Sequence, residues 1–241
     1  MSFNYRRYAL AALIYAAGFA YVLLRWDAIP DPVPVHVGPT GEADGFSSKT
    51  LFSATAPMII GIVVSAPMPL LLPPRAFARR TVDVPAEDAL PFSETAARRV
   101  EKLCDASADV ASKIILSLAA LLTVMNIGMV VPDVAIPFWL EIALWIGFTV
   151  YAVVVAIRMT SANDRIEPDA DEQARNAQLR YQGGMGTYTA PNDPMVAAVL
   201  PSNPGKIAVN TAHAPGKRYL RRVIVSVVVI PAASMAIGVA M

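Results

Sequence analysis

The stretch Ile114–Ile157, IILSLAALLTVMNIGMVVPDVAIPFWLEIALWIGFTVYAVVVAI, decides how the rest of the chain is read. Its two apolar runs, Ile114–Val131 and Pro137–Ile157, each approach the about 20 residues that an α-helix needs to cross a bilayer. Between them lies only Pro132-Asp133-Val134-Ala135-Ile136, room for a tight turn and nothing more. Two apolar helices joined in this way make a transmembrane hairpin, and its only charged residues are Asp133 in the turn and Glu141 in the second helix.

Three further runs have the same character. Tyr8–Leu24 is short but carries Tyr8 and Tyr21 near its ends, where amphipathic rings favour the headgroup layer. Leu51–Leu72 contains Pro57, Pro67 and Pro69, which remove backbone donors and predict a kinked or shortened helix. Val223–Ala240 is interrupted by Pro231. The 241 residues are 55% hydrophobic and 16% charged, against roughly 25% charged in an ordinary soluble domain, and the mean hydropathy is +0.48. A soluble core would spread its charges through amphipathic helices; here they gather in blocks between the apolar runs. A cleaved signal peptide is the rival account of the first run, but no small-residue cleavage site follows it.

Cationic flanks resist translocation, so the lysines and arginines orient the spans. With the N-terminus inside, 18 of the 20 fall in cytoplasmic segments and only Arg25 and Lys49 fall outside. The predicted fold is an all-α integral membrane protein of the plasma membrane. It has five transmembrane helices, a structured extracellular loop and a small β-containing cytoplasmic module. Residues 1–74 form an N-terminal two-helix domain with loop 25–50, 75–113 a cytoplasmic amphipathic segment, 114–158 the hairpin, 159–222 the cytoplasmic module, and 223–241 a last helix with its C-terminus outside.

In the loop, Pro30, Pro32 and Pro34 recur at alternate positions, fixing φ and biasing their predecessors to extended geometry. Such a segment is stiff and suits an edge strand whose proline side faces solvent. Gly38, Gly41 and Gly45 permit turns, and Asp44-Gly45 is the strongest turn signal. An ordinary connector is the plain alternative. Asp27, Asp31, His36, Glu42 and Asp44 could attract a cation or a basic peptide, but their spacing matches no calcium loop. His36 reads best as a hydrogen-bonding residue of the folded loop, although its titration range would suit a pH sensor.

Ile29-Pro30, Pro34, His36, Gly41, Asp44-Gly45 and Ser48-Lys49 together resemble the signature of the domain of unknown function 1648, which follows a first transmembrane helix in SdpI-like membrane proteins. The resemblance covers roughly residues 8–72. It implies kinship with immunity proteins that protect against a secreted peptide toxin and signal to a repressor, with Pro30, Pro34, His36, Gly41, Asp44, Gly45 and Lys49 as the candidate partner-binding set. The arginine–threonine–proline–tryptophan stretch of SdpI-like C-terminal helices has no counterpart here, so immunity is not simply inherited.

From Ser93, a plausible N-cap, Val100, Leu103, Cys104, Val110 and Ile114 follow helical spacing, predicting a helix that runs straight into the third span. Cys104, the single cysteine, sits on that apolar stripe and reads as packing rather than as a nucleophile. Beyond the hairpin, the polar run SANDRIEPDADEQARNAQLR reads as a solvated helix or linker. In YQGGMGTYTAPNDPMVAAVLPSNPGKIAVN, glycines and prolines punctuate the short extended runs MGTYTA, MVAAVL and KIAVN, predicting a small β-rich module. The glycines lack the strand, helix and spacing of a dinucleotide or phosphate loop. Tyr181, Gly183-Gly184, Tyr188, Pro191, Asp193-Pro194, Leu200-Pro201, Gly205 and Asn210 resemble the pattern of the domain of unknown function 5808, often appended to the first family in membrane proteins of Gram-positive bacteria. That resemblance makes Tyr181, Gly183, Gly184, Tyr188, Asp193, Pro194, Pro201 and Asn210 the candidate residues of the module.

Inside the membrane, Glu141 is flanked by Trp139 and Trp145 near the outer end of its span. Asn126 could hydrogen-bond across the hairpin to Glu141 or Thr149. One carboxylate and one amide make a poor ion pathway, and five spans with unlike halves lack the repeats of a secondary transporter. No catalytic set assembles, since the acids lie on both sides of the bilayer. Neither a metal constellation nor a cofactor motif is present, and net charge of +1 gives no reason to expect nucleic acid. The expectation is a non-catalytic sensor, immunity-type protein or accessory subunit in contact with lipid and a peptide or membrane-protein partner. The alternative is a small secondary transporter with Glu141 and Asn126 in its pathway.

Overall fold

The structure is a computed structural model describing residues 5–79, 82–85, 87–160, 166–180 and 186–239. It is mostly helical and divides into two compact units, residues 4–67 with 111–154, and residues 68–110 with 155–241.

The first unit holds α1 (Tyr5–Leu24), the antiparallel strands β1 (Val33–Val37) and β2 (Ala43–Ser47), and α2 (Leu51–Ser65). It also holds the later turns of α4 (Glu94–Val130) and most of α5 (Phe138–Thr160). Helices α1, α2 and α4 pack through small residues: a Cβ placed on Gly18 would lie 2.6 Å from Thr123 Cγ2 and 2.7 Å from Met58 Sδ, so only glycine allows this approach. Among the described residues, four apolar segments are long enough to cross a membrane, Tyr5–Leu24, Leu51–Ala78, Glu94–Val130 and Phe138–Met159. The last is the most telling, because only 6% of its apolar window is buried within the chain. Trp139, Ile142, Ile146, Val150, Val153 and Ile157 are all exposed. A water-soluble monomer does not carry an aliphatic surface of this extent; lipid is the solvent that such a helix fits. The protein is a multi-pass membrane protein on this ground.

Two expectations about helix boundaries hold. Leu51–Leu72 is not one helix: α2 ends at Ser65, and α3 covers Met68–Leu71. Pro67 and Pro69 have no N–H with which to continue the ladder. By contrast, α4 is unbroken from its Ser93 cap, where the Ala96 N–H donates to Ser93 Oγ at 3.0 Å, through the third apolar run. The fifth predicted span falls within α7 (Ala214–Val239), which is helical across Pro231.

The second unit contains α3, the first turns of α4, α6 (Ala170–Leu179), α7 and a three-stranded sheet. The strands β3 (Thr187–Tyr188), β4 (Ala197–Val199) and β5 (Ile207–Asn210) fall inside the three extended runs expected from the sequence. β5 is central, parallel to β3 and antiparallel to β4, with Ala197 opposite Val209 and Val199 opposite Ile207. Alternate residues face alternate cores. Ala197, Val199 and Ile207 meet Ala96, Ala97, Val100 and Cys104 on α4. Ala198, Leu200 and Ala208 meet Leu179 of α6, with Leu90 and Tyr188. Alanine on both faces of the sheet brings helix and strand close together. Cys104 is buried in the first of these cores, as its place on the stripe implied.

Within the polar run, α6 is the helix that the sequence allowed, but it is solvated on one face only. Glu172, Arg175 and Leu179, on one face of α6, are 3%, 1% and 3% exposed. Asp169 caps α6 by accepting from the Glu172 N–H at 2.7 Å, and its carboxylate also accepts from Ser93 Oγ and the Thr95 N–H at the start of α4. Glu172 in turn accepts from Arg99 Nε at 2.8 Å and from Thr95 Oγ1. Two helix N-termini, each with unsatisfied donors and a positive end, thus share two carboxylates. Burial works to raise the Asp169 pKa, but the donors on Glu172, Ser93 and Thr95 prevail and hold it below the ordinary carboxylate value.

Candidate functional site

The loop between α1 and α2 is a folded β-hairpin. Its base is fastened by residues of the sequence signature. The Lys49 N–H donates to Asp31 Oδ1 at 3.2 Å and Lys49 Nζ to the Ile29 carbonyl at 2.7 Å, with the ammonium 5.1 Å from the centre of the Trp26 ring. Thr50 and Ser53 then form a capping box on α2, and Ser53 Oγ also donates to the Ser48 carbonyl. Arg25 pairs with Asp133 of the turn before α5. Lys49, expected at a binding surface, therefore has its charge directed into the loop base.

The turn does not lie at Asp44-Gly45. It lies at Gly38–Gly41, where the Gly41 N–H donates to the Gly38 carbonyl and the Gly38 N–H to the Glu42 carbonyl. Gly41 has φ +85°, and a Cβ there would also sit 2.7 Å from the Phe138 ring; both constraints demand glycine. Asp44-Gly45 is inside β2 instead. Gly45 stands opposite His36, and a Cβ on it would meet the His36 Cβ at 2.8 Å. The register breaks on both sides of His36, leaving Val35 and Asp44 without directly paired partners. Such bulges re-aim side chains, and here Asp44 turns to His36 Nδ1 and forms a polar pair that is more than half exposed on both sides. His36 is thus the hydrogen-bonding residue of the loop that its setting suggested. Pro34 opposes Phe46, and Pro30 is an exposed residue just ahead of β1.

Gly41, Gly45 and Lys49 build the hairpin, while Pro30, His36 and Asp44 are exposed on it together with two apolar residues outside the signature. Phe46 is 57% exposed and Val35 39%. Sequence reasoning passed over both, although a phenylalanine in the hydrophilic setting Asp-Gly-Phe-Ser is itself a signal.

Within the module, Tyr181, Gly183 and Gly184 lie outside the described residues. Tyr188, Asp193 and Asn210 come together around a residue that the sequence did not single out, Arg175. Its guanidinium meets Asp193 as a fork, Nη1 to Oδ1 at 2.9 Å and Nη2 to Oδ2 at 2.8 Å, with side chains 2% and 0% exposed. Tyr188 Oη donates to Asp193 Oδ2 and the Met195 N–H to Oδ1, each at 2.8 Å. Burial first, and the Asp193 charge beside it, push the Tyr188 phenol well above its ordinary pKa, so it remains a donor. Asn210 bridges the Ala190 N–H and carbonyl and accepts from the Ala212 N–H. His213 Nε2 is 2.7 Å from the Asp193 carbonyl oxygen. Four donors occupy the Asp193 carboxylate, which leaves it acting as a scaffold. Pro194 is buried and its carbonyl accepts from the Val82 N–H, while Pro201 is exposed in the turn after β4.

The intramembrane pair is not assembled as expected. Asn126 Nδ2 donates to the Ala54 carbonyl of α2 at 2.9 Å rather than to Glu141 or Thr149, and Thr149 bonds the Trp145 carbonyl of its own helix. Asn126 lies against α2 in the turn that precedes Pro57, where backbone acceptors in lipid seek an added donor. Among the described residues, no group of three or more His, Cys, Asp and Glu side chains could hold a metal ion.

Residues 13–61 match the family model described as domain of unknown function (DUF1648). The match spans the later turns of α1, the whole hairpin and most of α2, so the matched segment contains the fastened base, the Gly38–Gly41 turn and the capping box. No curated protein and no solved structure matches the chain.

Proposed function

We propose that the chain is a non-catalytic, five-span protein of the plasma membrane, with its N-terminus cytoplasmic and its C-terminus outside. Its hairpin binds a peptide or protein on the external face, in the manner of a sensor, an immunity-type protein or an accessory subunit of a larger membrane complex. The observation that carries this reading is the hairpin itself. An isolated two-stranded hairpin is marginal in water, yet this one is fastened at its base by Lys49 and Asp31 and still leaves Phe46 and Val35 uncovered. An open strand edge beside exposed apolar side chains suits addition of an extended peptide. The 18 to 2 division of lysine and arginine supports the orientation. The similarity of residues 181–210 to the domain of unknown function 5808, and of the N-terminal part to SdpI-like proteins, belongs to the same reading.

A photo-crosslinking residue at position 46 in intact cells is expected to capture a discrete partner, which Val35→Asp in the same hairpin eliminates. Absence of any crosslink at 46, with efficient capture elsewhere, refutes the hairpin as the binding element. The transport alternative draws on Asn126 Oδ1 and Thr123 Oγ1, buried without hydrogen-bond partners among the described residues. Glu141→Gln separates the two: loss of flux with intact crosslinking would favour transport.

A further inference from the structure

Arg218 and Arg222 stand one turn apart on α7, and both are exposed. With Pro215 and Tyr219 they line an open pocket of about 300 Å³ whose other wall is Pro74 and Phe77. The aromatic part of this pocket is fixed in place. The Tyr219 hydroxyl donates to the Leu71 carbonyl, and its ring meets Phe77 edge-on with centroids 5.9 Å apart. The Arg222 guanidinium lies 5.4 Å from the Tyr219 ring centre, which holds it at the pocket.

Several arginines of the unit are paired with carboxylates, and of the described cations that are not, Arg218 and Arg222 are the two that line this pocket. Arg75 and Arg79 both reach Glu101, Arg99 reaches Glu172, and Arg175 reaches Asp193. No described carboxylate pairs with Arg218 or Arg222. Like charges one turn apart repel, so the pair is suited to an anion shared between them, and the planar guanidinium fork matches phosphate oxygens. Directly after Arg222 the helix changes character: Ile224, Val225, Val227, Val228 and Val229 are all at least half exposed. A phosphate bound at the arginines would have this aliphatic surface continuing from it along α7.

We propose that this pocket binds the phosphate of an anionic phospholipid, with its acyl chains against the aliphatic face that begins at Val223. The proposal rests on the reading above in which α7 enters the bilayer at Val223 from the cytoplasmic side, where anionic headgroups meet basic segments next to a span. Lys217 and Arg221 lie on the same helix, but neither lines the pocket. They provide a control that removes the same charge from a neighbouring position.

The test is native mass spectrometry of the full chain in mild detergent, with phosphatidylglycerol and phosphatidylcholine of identical acyl chains. Wild type is expected to retain one phosphatidylglycerol with a preference of about tenfold or more, R218Q/R222Q to lose that preference, and K217Q/R221Q to keep it within about twofold. R218K/R222K keeps the charge without the fork and is expected to fall between them. Unchanged Cys104 labelling shows that a variant is folded, and if R218Q/R222Q is not, the lysine pair decides the matter. The proposal is overturned by equal loss in the glutamine and control variants, by equal retention of phosphatidylcholine, by displacement of lipid with glycerol phosphate, or by wild-type preference in the lysine pair. A reporter at the C-terminus that proves active in the cytosol would refute the topology while leaving the detergent result to stand or fall by itself.

Discussion

Replacing Arg175 by methionine tests whether the buried fork organises the module. The substitution keeps the side-chain volume near α6 but removes both bonds to Asp193 and the one to the Pro91 carbonyl. Removing one partner of a buried ion pair costs about 3–5 kcal/mol, because the remaining charge is left uncompensated. Cys104, 7% exposed and the only cysteine, is a built-in reporter of module opening. Where reclosing is fast, its labelling by a maleimide follows the open population. The cost then corresponds to roughly 150- to 5,000-fold faster labelling. Asp193→Leu combined with Arg175→Met should recover at least about tenfold of that, since no charge remains buried. It should not reach wild type, because Tyr188 Oη and the Met195 N–H lose their acceptor at about 1–3 kcal/mol each. Labelling of the single variant within about threefold of wild type would refute the argument, as would a double variant that opens faster than the single one.

Gly45→Ala should shift the hairpin by forcing apart His36 and β2, at a cost of about 1–3 kcal/mol, seen as faster proteolysis within residues 25–50; unchanged cleavage would contradict the close approach. Asp169 has a lowered pKa in the folded protein, so its contribution is present above the unfolded value of about 3.9 and is lost as pH falls through the folded value. Asp169→Asn should therefore flatten that acid limb of the thermal midpoint, and an unaltered limb would assign it to other carboxylates. Asn126→Leu removes the bond to the Ala54 carbonyl and should cost about 0.6–1.7 kcal/mol in detergent unfolding; a much larger loss would indicate a further partner for its carbonyl oxygen.

The sequence was most legible where one physical signal acts alone. Apolar length located the four long segments, the Ser93 cap located the start of α4, and glycine and proline punctuation located all three strands of the module. It was least legible where two local preferences compete. Asp44-Gly45 is a strong turn pair, but Gly38 and Gly41 supply the turn, and Gly45 is needed opposite His36. In α6, Glu172, Arg175 and Leu179 follow a helical face at spacings of three and four, but charged side chains on two of those positions disguise a buried stripe as a solvated one. Only their partners, Arg99 and Asp193, far along the chain, make that burial affordable. The hairpin signature had a similar ambiguity: Lys49 and Gly45 look like recognition residues in a string and prove to be constructional in space, which shifts attention to Phe46.

The alanine lining of the three-stranded sheet has a consequence for how this module can diverge. Ala96, Ala97, Ala197, Ala198 and Ala208 are all 8% exposed or less, so losing a methyl there would leave only a small void, whereas adding one or two carbons must separate helix from strand. Drift at these positions is therefore asymmetric: glycine is the substitution with room to persist, and valine or leucine would require a compensating reduction on the facing element.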